Sequence, residues 1–405
     1  MIRPVLETLV LQNSTRIVLL VLDGLGDLPN SERADRTPLE AARTPNLDAI
    51  VPRSALGRLL PVAPGITPGS GPGHLGLFGY DPIDHQVGRG VLEALGAGVP
   101  LQKGDVAARA NFCTVDGAGI VADRRAGRIS GEISAKLVAK LTSAVAPIED
   151  VDLVMRAGMG HRFVVVLRGP GLAGEVSDAD PHHEGKPIPP AHALGKDPGS
   201  EKAARIVNAF IARAREILEG EHPANAVLVR GLSARPHLAG YLERFKLRAC
   251  AIAAYPMYRG VAELAGMSLF PVGEEPADAF AVAKREWANF DYFFIHMKAT
   301  DMAGEDGDFA AKTAAIEAVD QALPELLALK PDVMCVTGDH STPVLMKGHS
   351  WHPVPAMVTG PWAGADGLAR FHERNARAGS LGLLASKDLI AVLLANAGRL
   401  DKFGA

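Results

Sequence analysis

The sequence predicts an α/β fold in which a mostly parallel sheet is sandwiched by helices and carries a smaller α+β insertion. Three observations support it. Short apolar runs of strand length recur at residues 16–22, 226–230, 249–254, 292–296, 332–337 and 354–358. Helix-like stretches, among them 201–218, 277–289 and 310–329, lie between these runs. Apolar strands alternating with helices belong in a parallel sheet covered on both sides. The third observation is a break in the pattern: the segment from about 100 to 190 carries β-branched runs, glycine turns and many arginines. It is expected to form a separate domain, 100–190, inserted into a discontinuous core of 1–99 and 191–405.

Taken in order, the run "IVLLVL" at residues 17–22 is six residues long and ends in Asp23. That is too short for a membrane helix or the apolar part of a signal segment, so a cytoplasmic location is expected. The first helix opens at "TPLEAA": Thr37 can cap, Pro38 suits the first turn and Glu40 completes a capping box. "TPNLDAI" repeats the Thr-Pro opening from Thr44. In "GITPGSGPGHLGLFGYDP", residues 65–82, Ser70 sits among glycines and prolines. By itself this stretch is a linker, a phosphate-cradling loop or a mount for a nucleophile. The Pro- and Gly-rich residues 182–200 read as the hinge back to the core.

With 405 residues, 47% hydrophobic and 22% charged, the chain can bury a substantial core. A net charge of −4 gives no reason to expect nucleic acid or an anionic membrane as partner. Cys113, Cys250 and Cys335 are far apart, odd in number and without a CxxC, which argues against a disulfide framework.

Three apolar runs lead into aspartates: "VLLVLDGLGD" into Asp23, "FFIHMKATD" into Asp301 and "MCVTGDHST" into Asp339. Ligands of open α/β sheets bind beyond the carboxyl ends of strands, so three acids from distant sequence can converge there. Like charges held close need a cation or raised pKa values. The neighbours favour the cation. His340 follows Asp339, Glu305 lies four residues after Asp301, and "KGHSWHP" adds His349 and His352. If 301–305 is helical, both carboxylates lie on one face. Mixed carboxylate and imidazole ligands suit Mn²⁺, Zn²⁺ or iron, whereas Mg²⁺ prefers oxygen. Singly, each residue has a plainer role, as a cap, a turn residue or a core histidine. Their joint order and placement point to chemistry.

With this set assembled, the chain resembles the alkaline phosphatase superfamily, and more narrowly the archaeal-type, cofactor-independent phosphoglycerate mutases. The strings that carry the resemblance include "VLDGLGD", "TPLEAARTPNLDAI", "TPGSGPGHLGLFGYDP", "RANFCTVD", "DRRAGR", "SDADPH", "IHMKATDMAGEDGD", "TGDHSTP" and "HSWHPVP". They run in register from about residue 16 to 390. The resemblance implies an alkaline-phosphatase-like core. It implies an isomerase of glycolysis and gluconeogenesis that interconverts 3-phosphoglycerate and 2-phosphoglycerate through a phosphoserine on Ser70, without 2,3-bisphosphoglycerate. It further implies two divalent metal ions: one held by Asp23, Ser70, Asp339 and His340, the other by Asp301, Glu305 and His349. Mn²⁺ is expected, with Mg²⁺, Co²⁺ or Zn²⁺ as alternatives. The "H-x-x-x-P" spacing assigns His349 rather than His352. Two departures stand out. Relatives carry a histidine where this chain has Glu305, and read Ser-Asp-Thr-Ala-His where it reads Ser70-Gly71-Pro72-Gly73-His74.

A mutase must keep water off the phosphoserine while glycerate reorients, so the insertion is expected to be a substrate-binding lid. Its Arg124, Arg125, Arg128, His161 and Arg162, with Arg259 and Lys298 of the core, are candidates to grip the carboxylate and phosphate of a small-molecule phosphoglycerate. His74 is expected to be structural. A metal-dependent phosphomonoesterase or a phosphopentomutase on the same core is the alternative reading.

Overall fold

Six consecutive apolar residues, Ile17–Leu22, form a strand buried on both faces. It lies inside an eight-stranded sheet of a computed structural model that describes residues 3–404. The strand order is Gly382–Ala385, Ser54–Leu60, Val354–Thr359, Val333–Thr337, Ile17–Leu22, Tyr292–Met297, Ala249–Ala253, Ser268–Pro271. The last five are mutually parallel. Val354–Thr359 runs antiparallel to both of its neighbours.

Helices cover both faces of this sheet, which is why its strands read as continuous apolar runs. On one face Val18, Leu20 and Leu22 pack with Phe280 and Ala283 of the helix Pro276–Glu286 and with Ile316, Val319 and Leu323 of the helix Phe309–Leu327. On the other, Phe294 meets His74 and Phe78 at the helix Ser70–Leu77. Each large apolar side chain buried this way contributes about 1.5–3 kcal/mol. The capping box at Thr37 forms: its hydroxyl accepts from the Glu40 amide at 3.0 Å, and the Glu40 carboxylate accepts from the Thr37 amide at 3.0 Å. Thr44 makes no such side-chain cap.

This sheet belongs to a compact unit built from Met1–Gln86 and Leu238–Ala405; Val87–His237 forms a second unit. The second unit is wider than the 100–190 suggested by the sequence. Its sheet is antiparallel, in the order Val121–Asp123, Val106–Val115, Arg162–Arg168, Asp152–Ala157, and Ala226–Ala234 pairs with the free edge of Val106–Val115. The run at 226–230 therefore belongs to this sheet and not to the core. The helix Pro198–Ile217 belongs here too, because Ala203, Ile206, Val207 and Phe210 pack against Ala108, Ala110 and Phe112. Residues 182–200 are thus not the return hinge. The three cysteines are free and buried. Among the described residues no helix is long and apolar enough to cross a membrane.

Glu373 opens the short helix Glu373–Ala378 with its carboxyl buried, accepting from the Thr37 hydroxyl at 2.7 Å. Burial pushes its pKa up to about 7 from 4.5. A carboxyl raised in the folded state costs nothing below its unfolded value, and stability is lost as pH rises through the folded one. The loss is of order 3 kcal/mol at most, at about 1.4 kcal/mol per unit. Glu373→Gln, which keeps the acceptor for Thr37, should raise Tm near pH ~8, with the gain fading toward pH ~4.5. Calorimetric scans across that range test this; a gain independent of pH would remove the ionisation of Glu373 as its cause.

Candidate active site

Parallel register brings three distant segments together. Leu22 pairs with Met297 and Val21 with Thr337, so three adjacent strands end side by side. The chain after each end supplies Asp23, Lys298 to Asp301, and Asp339 with His340. The loops approach closely at Gly24, where φ is +63° and a Cβ would lie 2.5 Å from Thr342 Oγ1 and 2.6 Å from Asp301 Oδ1. Only glycine tolerates that backbone and that approach.

Asp23, Asp339 and His340 are fully buried. His340 Nε2 lies 3.2 Å from Asp23 Oδ1 and 3.1 Å from Asp339 Oδ2. Yet none of these three atoms has a hydrogen-bond partner. Buried polar atoms almost always do. Two carboxylate oxygens and an imidazole nitrogen converging unbonded fit a divalent cation. The other oxygens are held from behind. Asp23 Oδ2 accepts from His296 Nε2 at 3.1 Å, and Asp339 Oδ1 accepts from the Gly24 amide at 3.2 Å.

A second group gathers Asp301, His340 and His349. His349 Nε2 stands 3.7 Å from Asp301 Oδ1 and 3.7 Å from Glu305 Oε1, and its Nδ1 donates to the Pro68 carbonyl at 3.0 Å. The imidazoles of His340 and His349 stack at 3.7 Å. The helix Ala299–Asp306 carries Asp301 and Glu305 one turn apart, as expected from their spacing. Glu305 is more than half exposed and stands outside the tight group, within reach of His349. His352 is turned to the Ser350 hydroxyl at 3.1 Å and stacks on Trp351, so it does not join.

The charge balance is tight. Lys298 Nζ bridges Asp23 Oδ2 and Asp301 Oδ2 and donates to the Tyr258 hydroxyl at 2.8 Å. Burial favours the neutral amine, but Asp23 and Asp301 outweigh it and hold the ammonium well above its ordinary range. Burial pushes Asp23 up as well, and His296, His340 and Lys298 prevail to hold it well below the usual carboxylate range. Burial wins at His296, whose pKa is lowered. Three buried carboxylates thus face one lysine, a deficit that added cations would offset.

Ser70 is the first residue of the helix Ser70–Leu77, following Gly69. Its carbonyl accepts from His74 Nδ1 at 2.8 Å, and the same nitrogen lies 3.2 Å from Asp339 Oδ2. Asp339 accordingly outweighs burial and raises the pKa of His74. A Cβ on Gly73 would stand 2.7 Å from the Asp339 carbonyl oxygen, so the first turn packs directly on that segment. His74 ties serine and carboxylate together, in keeping with a structural role.

The second unit gathers cations by a different rule. Strand side chains alternate between faces. Phe163 and Val165, like Ala108 and Ala110, point into the core under the helices. Arg109, Asn111, Arg162 and Arg230 therefore point the other way, with Arg109 opposite Arg230 and Asn111 opposite Arg162. With Arg125, Arg128 and His161 they line a pocket of about 540 Å³. Burial, partly offset by Glu93, and the cations Arg162, Arg230 and Arg89 bring the pKa of Arg109 down to about 10. Burial and Arg162, Arg109 and Arg125 lower that of His161. Arg124 lines the pocket but is held by a two-pronged ion pair to Asp180, with Nη2 at 2.7 Å. Arg259 donates through Nη1 to the carbonyls of Ala253 and Ala254 at a strand end.

Sequence reading missed Arg109, Asn111, Arg230, His296, Tyr258 and Thr342. The period-2 spacing of "RAN" in an otherwise apolar strand, and a histidine within "FFIHM", were the available signals.

Residues 52–225 match the family model described as 2,3-bisphosphoglycerate-independent phosphoglycerate mutase. The chain is 51% identical over 397 residues to a probable 2,3-bisphosphoglycerate-independent phosphoglycerate mutase of Thermotoga neapolitana, covering 98% of each. It is 49% identical over 405 residues to one of Thermus thermophilus, covering 99% of each. The solved cofactor-independent phosphoglycerate mutase of Thermoplasma acidophilum superposes with a TM-score of 0.77 at 30% identity, over 95% of this chain and 100% of that one. Near-complete coverage at half identity is decisive: this chain belongs to the 2,3-bisphosphoglycerate-independent phosphoglycerate mutase family.

Proposed function

We propose that the chain interconverts 3-phosphoglycerate and 2-phosphoglycerate through a phosphoserine on Ser70, at a site for two divalent cations. The observation that carries this reading is the unbonded trio Asp23 Oδ1, Asp339 Oδ2 and His340 Nε2, tied through His74 to the serine helix. Asp23, Ser70, Asp339 and His340 would hold one cation, and Asp301, His349 and Glu305 the other. Divalent metal bound there lowers the pKa of a serine hydroxyl and offsets phosphate charge, and the mixed ligand set suits Mn²⁺.

Ser70 Oγ attacks the phosphorus; its bond to phosphorus forms as the bond to the C3 oxygen of the substrate breaks, and that oxygen takes up a proton. The C2 hydroxyl then attacks the phosphoserine: its oxygen–phosphorus bond forms as the Ser70 Oγ–phosphorus bond breaks, and its proton is passed to Ser70 Oγ. The amides of the first turn after Gly69 favour a phosphoryl group on Ser70. Lys298 keeps a permanent cation beside Asp23 and Asp301. Arg109, Arg125, Arg128, Arg162 and Arg230 make the inserted unit the part that grips the substrate's anionic groups, and as a lid it would keep water from the phosphoserine.

Chelator-stripped protein resupplied with Mn²⁺, Mg²⁺, Co²⁺ or Zn²⁺ singly, without 2,3-bisphosphoglycerate, should form 2-phosphoglycerate from 3-phosphoglycerate, best with Mn²⁺. Release of free phosphate with no 2-phosphoglycerate would replace the mutase by a phosphatase. Ser70→Ala should abolish turnover and leave Tm unchanged, since it removes only the nucleophile; retained activity would exclude the phosphoserine. Arg162→Gln should raise KM by roughly 10- to 100-fold with a smaller change in kcat, the loss of one charge-assisted hydrogen bond. Steady-state kinetics with unaltered KM would take Arg162 out of the substrate grip.

A further inference from the structure

Lys312 lies in the helix Phe309–Leu327, which follows the helix that carries Asp301 and Glu305, and is completely buried. Its Nζ donates to the Gly24 carbonyl at 2.8 Å, the Thr342 carbonyl at 2.9 Å and Asp27 Oδ2 at 2.8 Å, with the Gly26 carbonyl at 3.4 Å. Three backbone carbonyls and a carboxylate thus face one point, a cage of oxygens that an internal ammonium fills. Those oxygens belong to the two loops that carry the candidate ligands. Gly24 follows Asp23, and Thr342 lies two residues after His340. The Thr342 hydroxyl donates to Asp301 Oδ1 at 2.5 Å and lies 3.0 Å from His340 Nδ1. Asp27 closes the far side by accepting from the amides of Leu28 at 2.8 Å and Val344 at 3.2 Å.

A buried ion pair is a weak means of stabilising a fold, because desolvation consumes most of its Coulomb energy. What an ammonium does here, and an apolar side chain does not, is join carbonyls that otherwise repel across two loops. We propose that Lys312 is a positioning residue for the candidate metal site: its ammonium acts as a tethered monovalent cation that sets the spacing of the Asp23 loop and the Asp339–Thr342 loop. The proposal rests on the metal-binding reading above. It adds a residue that touches neither cation nor substrate and acts through Gly24 and Thr342.

Titration calorimetry of Mn²⁺ into chelator-stripped full-length protein tests it, with Tm of the metal-free protein read separately. Absence of Mn²⁺ binding by the wild type would sink the metal-site reading itself, whatever Lys312 does. Given wild-type binding, Lys312→Ala should bind Mn²⁺ at least about tenfold more weakly. Potassium or ammonium chloride, compared with choline chloride at equal ionic strength, should restore part of the affinity by occupying the vacated cage. The double variant Asp27→Asn with Lys312→Gln removes both charges while keeping hydrogen-bonding groups, which guards against misfolding from an unpaired Asp27. It should also bind more weakly. Wild-type affinity in either folded variant, or equal affinity in potassium, ammonium and choline for a weakened Lys312→Ala, would overturn the proposal. Failure of both variants to fold in any of these salts would make Lys312 a folding residue and overturn it too.

Discussion

Three carboxylates leave the carboxyl ends of three adjacent parallel strands and are buried within a few ångströms of one another, and the rest of this site answers to that repulsion. An isolated buried carboxylate costs several kcal/mol, so the arrangement persists only if positive charge and hydrogen bonds reach each oxygen. Lys298 supplies one charge between Asp23 and Asp301. His296 takes the outer oxygen of Asp23, and the Thr342 hydroxyl takes Asp301. Asp23 Oδ1, Asp339 Oδ2 and His340 Nε2, which face each other, are among the buried atoms that stay unbonded.

Holding such atoms in place needs loops that touch without side chains in between. Gly24 lies against Thr342 and Asp301, and Gly73 lies against the Asp339 backbone. This gives a physical reason for the glycine-rich serine segment. Its backbone comes close to the carboxylate loop, and the helix it starts has Ser70 in its first turn. His74, one turn on, contacts both the Ser70 carbonyl and Asp339, so the serine and a candidate metal ligand share one support.

The second unit meets the opposite problem, an excess of positive charge. Strand alternation stacks Arg109, Arg162 and Arg230 on one face of an antiparallel sheet. Burial first, and then the neighbouring guanidiniums of Arg162, Arg230 and Arg89, lower the pKa of Arg109. A bound anion offsets such crowding, which is what the proposed substrate grip rests on.

Much of this was legible in the sequence because it is written over short distances. Apolar runs ending in Asp23, Asp301 and Asp339, the capping box of Thr37, the one-turn spacing of Asp301 and Glu305, and the glycines around Ser70 each depend on a few neighbouring residues. Register and pairing depend on contacts hundreds of residues apart, and no local spacing encodes them. Only the tertiary structure decided that Ala226–Ala234 joins the second sheet, because its partner strand is Val106–Val115 and not the apolar run that follows it. Only it gathered Arg109, Asn111 and Arg230 on one face, turned His352 away while stacking His349 on His340, and brought Lys312 against the loops that carry Asp23 and His340. The sequence by itself determined which residue types stand at the strand ends; packing decided which of their atoms remain unbonded, because burial, not spacing, removes the water that would otherwise bond them.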